Sequence, residues 1–302
     1  MLAQGAKLSG TAPDAAGFRR VEVVANLHSG GVSADAPDEI EKILSDHGLR
    51  AHVCAPEKDD LTNCLRAAVD AAPDLLIVLA GDGTARAAAE LCGPDGPVIA
   101  PLPGGTMNML PHAVYGPRSW QTALSIALAQ GHEQAIGGGE VEGRVFMVAG
   151  IFGAPALWAQ AREAARYGRP RLAWMRARRA MRRAFSGRLR YAIDNGPRRK
   201  AEALVCMCPL TSRAMNDEEQ ALEAAALDVT GALDAFRLGF HALKGDWRDA
   251  PGVEVERCSV ARIWAAQGIP AILDGESVGL KSLSEVRYTA RVARILAIPK
   301  DV

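Results

Sequence analysis

Asp74-Leu75-Leu76-Ile77-Val78-Leu79-Ala80, followed at once by Gly81-Asp82-Gly83-Thr84, decides how the chain is read. An unbroken apolar run between turn formers fits a strand covered on both faces. Working outward, Arg20 to Ala25 reads as a shorter buried strand that ends in the turn Asn26-Leu27-His28-Ser29-Gly30-Gly31. Residues 37–48 place Ile40, Ile43 and Leu44 on one helical face and stop at Gly48, a C-cap. A strand at 49–55, helices at 59–72 and 84–92, and a strand from Pro97 to Ala100 continue the alternation. Strands alternating with helices predict a parallel sheet with helices on both faces.

The pattern changes after about residue 130. Gly137-Gly138-Gly139 reads as a chain break, Glu140 to Gly150 as β, and residues 156–185 as a long Arg-rich helix. Short strands are predicted at 188–194, 201–209, 234–241, 253–256, 259–265, 270–273 and 285–291. Closely spaced short strands predict an antiparallel sandwich or barrel. The expected fold class is therefore α/β plus all-β. A loose leader at 1–19 precedes an α/β domain at 20–132 and a β-rich domain at 133–292.

The 302 residues are 49% hydrophobic and 23% charged, which excludes disordered and fibrous classes. Lys+Arg and Asp+Glu balance at 35 each, so the whole molecule has no general attraction for nucleic acid, and none is expected as a partner. The six cysteines lack zinc-site spacing and are expected to be free thiols in a reducing, cytoplasmic compartment. MLAQGAKLSG has no apolar core, so no signal peptide is expected.

Three glycine turns follow predicted strands: Asn26 to Gly31, Gly81 to Thr84, and Pro103-Gly104-Gly105-Thr106-Met107-Asn108. In a parallel sheet all three lie at the C-terminal edge, where such sheets bind ligands. Glycine lets the backbone approach a bound group, and exposed N–H groups attract phosphate. Candidate phosphate ligands are Asn26, Ser29, Gly30, Gly31, Gly81, Asp82, Gly83, Thr84, Gly104, Gly105, Thr106 and Asn108. Asp82, flanked by glycines, is a candidate for Mg²⁺ or for a hydroxyl. Neither the P-loop nor the G-x-G-x-x-G spacing occurs. Far downstream, Asp274-Gly275-Glu276 follows the apolar Ile269 to Leu273. Two adjacent carboxylates suit a proton acceptor, and the same stretch suits a plain hairpin.

Together these segments resemble the diacylglycerol kinase catalytic family, which includes bacterial lipid kinases, sphingosine kinases and ceramide kinases. Asn26 to Gly30 resembles its N-P-x-S-G, Ala80 to Thr84 its G-G-D-G-T, and Leu102 to Asn108 its L-P-x-G-T-x-N. Asp274-Gly275-Glu276 resembles its late D-G-E, and Phe146 to Ala154 its segment at the domain junction. The resemblance implies an N-terminal three-layer α/β domain similar to NAD kinases and phosphofructokinases that binds ATP. It implies a C-terminal antiparallel β-sandwich for the lipid, and a tail at 293–302 returning to the first domain. It also implies Mg²⁺-assisted transfer of the ATP γ-phosphoryl to a primary lipid hydroxyl, with diacylglycerol as first acceptor. Asp82, Asp274 and Glu276 are then catalytic, and Asp82 and Asp274 meet Mg²⁺ through the phosphates.

Leu27, Ala80, Ala87 and Met109 depart from the family's pattern, Ala87 where a Glu is common and Met109 where many bacterial members have Asp. Glu90, one turn on, could replace the Glu absent at 87. No structural Mg²⁺ site is carried over at 228–234. The alternatives are a ceramide or sphingoid-base kinase, an NAD kinase-like enzyme, and a catalytically weakened lipid-binding regulator. The NAD kinase reading lacks the Asn-Glu pair expected after GDGT.

Residues 162–190 hold eleven Arg and one acid, Glu163. Arg178, Arg179, Arg182 and Arg183 alternate with apolar Ala180, Met181 and Phe185. Such a helix can lie on an anionic membrane surface. A peripheral location on the inner face of the membrane is expected, and a homodimer is left open.

Overall fold

In the computed structural model, the structure describes residues 17–56, 60–153, 155–157, 189–212, 220–227 and 253–299. The predicted strand at 234–241, the segment 228–234 and nearly all of the Arg-rich stretch lie outside the described residues. The chain divides into two compact units. One comprises the described parts of Met1–Gly81, Asp95–Ala135 and Arg294–Val302. The other comprises those of Asp82–Pro94 and Ile136–Ala293.

The first unit is α/β. Strands β1 (Val21–Ala25), β2 (Ala51–Cys54), β3 (Leu75–Ala80) and β4 (Val98–Pro103) form a parallel array in the order β2-β1-β3-β4. Every residue of β3 is buried, as its continuous apolar run requires. Helices α1 (Ala36–Asp46), α2 (Leu61–Asp70), α4 (Met109–Tyr115) and α5 (Trp120–Gln130) pack on these strands. At the chain end, Arg294 and Ile295 pair in parallel with Val98 and Ile99 of β4. The Tyr115 hydroxyl donates to the Leu296 carbonyl at 2.8 Å. β4 runs three residues past the predicted Ala100. Pro101 and Pro103 fit there because the pairing with the chain end stops at Ile99, and a proline tolerates a side that needs no donor.

Cys54 and Cys64 form a disulfide with Cα atoms 6.4 Å apart, which corrects the expectation of six free thiols. The bond ties the end of β2 to α2, a proximity not visible in the spacing of the cysteines. Cys92, Cys206, Cys208 and Cys258 are not disulfide-bonded.

The second unit contains α3 (Asp82–Cys92) and two antiparallel layers. The remaining strands are β5 (His132–Val141), β6 (Arg144–Phe146), β7 (Ala149–Gly153), β8 (Leu189–Ile193), β9 (Arg199–Ala201), β10 (Ala203–Met207), β11 (Leu222–Leu227), β12 (Val253–Cys258), β13 (Val260–Trp264), β14 (Ile269–Leu273), β15 (Glu276–Leu280) and β16 (Leu283–Ala297). One layer has the order β12-β11-β10-β7-β14-β15. The other pairs β13 with β16 and β8, β8 with β9, and β5 with β6 and β16. Phe152, Leu204 and Leu273 from the first layer and Tyr191, Ile263 and Val286 from the second share one buried core. This is the sandwich expected.

Gly137-Gly138-Gly139 does not break the chain; it lies inside β5. A Cβ at Gly137 would overlap the Tyr288 ring, and one at Gly139 the Phe146 ring. Aromatic side chains distant in sequence fill the space these glycines leave, so the run is a packing surface.

Candidate active site

The three glycine turns interlock by backbone contact. The Gly31 N–H donates to the Gly104 carbonyl at 3.0 Å, and the Gly104 N–H donates to the Ala80 carbonyl at 3.1 Å. A Cβ on Gly105 would stand 2.7 Å from the Gly81 Cα, and one on Gly104 would stand 2.9 Å from the Ala80 nitrogen. No side chain fits at those distances, so turns from different parts of the sequence need glycine at their contact points. Asn108, with φ 50°, accepts from the Gly105 N–H at 2.7 Å and donates to the Gly105 carbonyl at 3.0 Å. Its amide closes the turn. Asn26 acts likewise, its Oδ1 accepting from the His28 N–H at 3.0 Å.

The second turn is shorter than predicted, because α3 begins at Asp82 itself. Gly81 is peptide-bonded to a helix N-terminus whose first N–H groups lack intrahelical acceptors. That end carries the positive pole of the helix dipole and favours anions. Asp82 belongs to this first turn and is buried.

Asp274 and Gly275, with φ 46° and 87°, form the two-residue turn between β14 and β15. Asp-Gly is the usual sequence where both turn residues take positive φ. The hairpin reading is therefore correct, but its acids are not simply solvated. Asp274 is fully buried, 2% exposed. Its Oδ2 accepts from the Met147 N–H at 2.7 Å, and its Oδ1 accepts from the N–H groups of Val148 and Ala149, both at 2.9 Å. Burial pushes its pKa up to about 6, against the pull of those three donors, and the Asp82 charge adds to the rise. Both oxygens of Asp274 thus accept backbone N–H groups.

Glu276, the first residue of β15, reaches back to α3. Its Oε1 lies where a Cβ on Gly83 would stand. Its Oε2 accepts from Arg86, whose other terminal nitrogen donates to Glu90 at 2.5 Å. Glu90 also accepts from the Val145 N–H at 3.2 Å. Burial works to lower the proton affinity of the Arg86 guanidinium, but the contacts with Glu276 and Glu90 outweigh it and leave it raised. Arg86 was not singled out from the sequence. Its only local signal is the i,i+4 spacing to Glu90 on an Ala-rich helix.

The fold thus gathers Asp82, Gly83, Asp274 and Glu276 within the second unit, and it ties Gly31, Gly81, Gly104, Gly105 and Asn108 together within the first. Ser29, Gly30, Thr84 and Thr106 lie on the same turns or on the first turn of α3. Arg178, Arg179, Arg182 and Arg183 lie outside the described residues.

Residues 20–141 match the model of the diacylglycerol kinase catalytic domain. The match takes in the first strand, all three glycine turns and the helix that begins at Asp82. Among curated proteins nothing matches. A crystal structure of a diacylglycerol kinase from Bacillus anthracis str. Sterne superposes with a TM-score of 0.68 at 15% identity, covering 95% of this chain and 99% of that one. A structure of a proposed diacylglycerol kinase from the same organism gives 0.70 at 16% identity, with the same coverage. At such identities the likeness concerns the fold, an α/β part followed by an antiparallel β-rich part.

Among the described residues no group of three or more His, Cys, Asp or Glu could hold a metal ion unaided. In phosphoryl-transfer sites Mg²⁺ is held by one or two carboxylates plus phosphate oxygens. Asp82, at the phosphate-attracting end of α3, is the carboxylate that would share it.

Proposed function

We propose that the protein transfers the γ-phosphoryl group of ATP to a primary hydroxyl of a membrane lipid, with diacylglycerol as first acceptor. One observation carries the reading: the Glu276 carboxylate lies against Gly83, on the first turn of the GDGT helix. A proton acceptor and a phosphate-attracting backbone are brought together although they are far apart in sequence.

Glu276 is the proton acceptor in this reading, because its side chain is 48% exposed while Asp274 is sealed. The acceptor hydroxyl gives its proton to Glu276 as its oxygen bonds to the γ-phosphorus. The bond from that phosphorus to the β–γ bridging oxygen breaks, and ADP leaves. Phosphoryl transfer demands little more than alignment and charge compensation. Asp274 pins the hairpin through three backbone donors, so that Glu276 starts from a fixed strand end. Mg²⁺, held by Asp82 and the phosphates, would offset the charge developing on the transferred group.

Among the described residues no helix is long and apolar enough to cross a membrane. Access to a lipid is assigned to the Arg-rich stretch around Arg178 to Arg183, by its cationic and apolar composition. Glu276→Gln tests the assignment. It should lower turnover by at least about tenfold while ATP affinity changes less than about twofold. Unchanged turnover would remove Glu276 from the chemistry.

A further inference from the structure

Arg86 is the cation at the centre of an acidic group, and its side chain is only 7% exposed. It stands on α3 one turn after Asp82, among alanines at 85, 87, 88 and 89. Its terminal nitrogens reach Glu90 on its own helix and Glu276 on β15, while its buried Nε has no hydrogen-bond partner among the described residues. Burying a guanidinium with one donor unmet is costly, and an apolar side chain of similar size would pack there without that cost. The arrangement is therefore poorly explained by stability alone.

The contacts form a directed chain. The Val145 N–H on β6 holds Glu90, Glu90 holds Arg86, and Arg86 holds Glu276 where it touches Gly83. Arg86 has a rigid planar fork, so fixing one arm on Glu90 fixes the direction of the other. A lone Glu276 on an exposed strand end would sample several rotamers. Bound to Arg86, its Oε1 stays at the N-terminus of α3.

We propose that Arg86 is a positioning residue for phosphoryl transfer: it bridges Glu90 to Glu276 and so keeps the Glu276 carboxylate on the first turn of α3. The inference rests on the reading of Glu276 as proton acceptor. In this reading Arg86 acts only through Glu276. It follows that Glu90 does not substitute for the family's Glu at position 87; it anchors Arg86.

The test is a double-mutant cycle in turnover of ATP with detergent-dispersed diacylglycerol. Arg86→Met, with Glu90→Gln added so that Glu90 is not left as a carboxylate without its cation, should lower kcat by at least about tenfold while the KM for ATP moves less than about twofold. Arg86→Lys, which keeps the charge but lacks the fork, should fall between that variant and wild type and serves if the first variant fails to fold. In a Glu276→Gln background, removing Arg86 should lower kcat by less than about twofold further, because the two act as one unit. Equal loss from the Arg86 change in both backgrounds, or full kcat without Arg86, would overturn the inference and leave the kinase reading standing. Full kcat in Glu276→Gln alone would overturn both. A wild-type chain with no lipid-dependent turnover would bring down the kinase reading and this inference with it.

Discussion

Glu276 lies against Gly83 so closely that a Cβ at Gly83 would overlap its Oε1. The absence of a side chain at Gly83 is thus what admits the carboxylate to the first turn of α3. Glycine here serves the approach of a side chain from another strand, while Gly81 and Gly105 serve the approach of one backbone to another.

Gly83→Ala follows directly. The obstructed atoms are the far end of a flexible side chain, so Glu276 can swing aside and the fold should persist. Alanine in a helix is favourable over glycine by about 1 kcal/mol, so stability should hold or rise slightly. Turnover should nevertheless drop by at least about tenfold, because the carboxylate is present but displaced. Thermal unfolding and kcat measured side by side check this, and a parallel loss of both would contradict it.

Asp274 gives a pH-dependent stability. Its pKa is raised to about 6 in the folded protein, against about 4 in an unfolded chain. Between those values the unfolded chain has released a proton that the folded one keeps, so stability falls as pH rises. Below about 4 the favourable contribution is complete, and above about 6 it is gone. Two pKa units correspond to about 3 kcal/mol. Asp274→Asn removes the titration, so the stability of wild type relative to the variant should decline between pH 4 and 6 by about that amount. The amide also turns an NH₂ group toward one of three backbone donors, which should cost about 1–3 kcal/mol independent of pH. Urea unfolding of both proteins across this window measures the difference, and a pH-independent difference would contradict the buried, proton-retaining state.

Asp82→Asn should leave the fold intact and lower turnover by at least about 100-fold, the scale of charge stabilisation in such sites. A variant keeping a third of the wild-type rate, on the order of a 0.6 kcal/mol change in barrier, would take Asp82 out of the mechanism.

Replacing Arg178, Arg179, Arg182 and Arg183 with Gln removes four charges, each contributing about 1 kcal/mol of attraction to anionic lipid. Sedimentation with vesicles rich in phosphatidylserine should show at least about tenfold weaker binding at low salt. Turnover on detergent-dispersed lipid should be unchanged. Unaltered vesicle binding would make this stretch an ordinary solvated face.

The parts of the fold written in local pattern were legible. Leu75 to Ala80 is apolar throughout because both faces of β3 are covered, and Gly48 ends α1 by taking a positive φ of 72°. The parts that failed depend on distant partners. Gly137 to Gly139 looks like a break until the rings of Tyr288 and Phe146 supply the missing volume. Leu222 to Leu227, LEAAAL, favours a helix by propensity, yet forms β11 because β10 and β12 pair with it on both sides. For the site, the acids of the hairpin could be named from the sequence, but not their division of labour. Asp274 is sealed by backbone donors at 147–149, and Arg86 meets Glu276 across 190 residues of chain. Only folding creates those neighbours.

The most direct test follows the labelled γ-phosphate of ATP in the presence and absence of detergent-dispersed diacylglycerol, with Mg²⁺. Label should pass to the lipid hydroxyl only when the lipid is present, and the transfer should fall at least about tenfold in Glu276→Gln. Label released as free phosphate at the same rate with or without lipid, or transferred equally by Glu276→Gln, would contradict it.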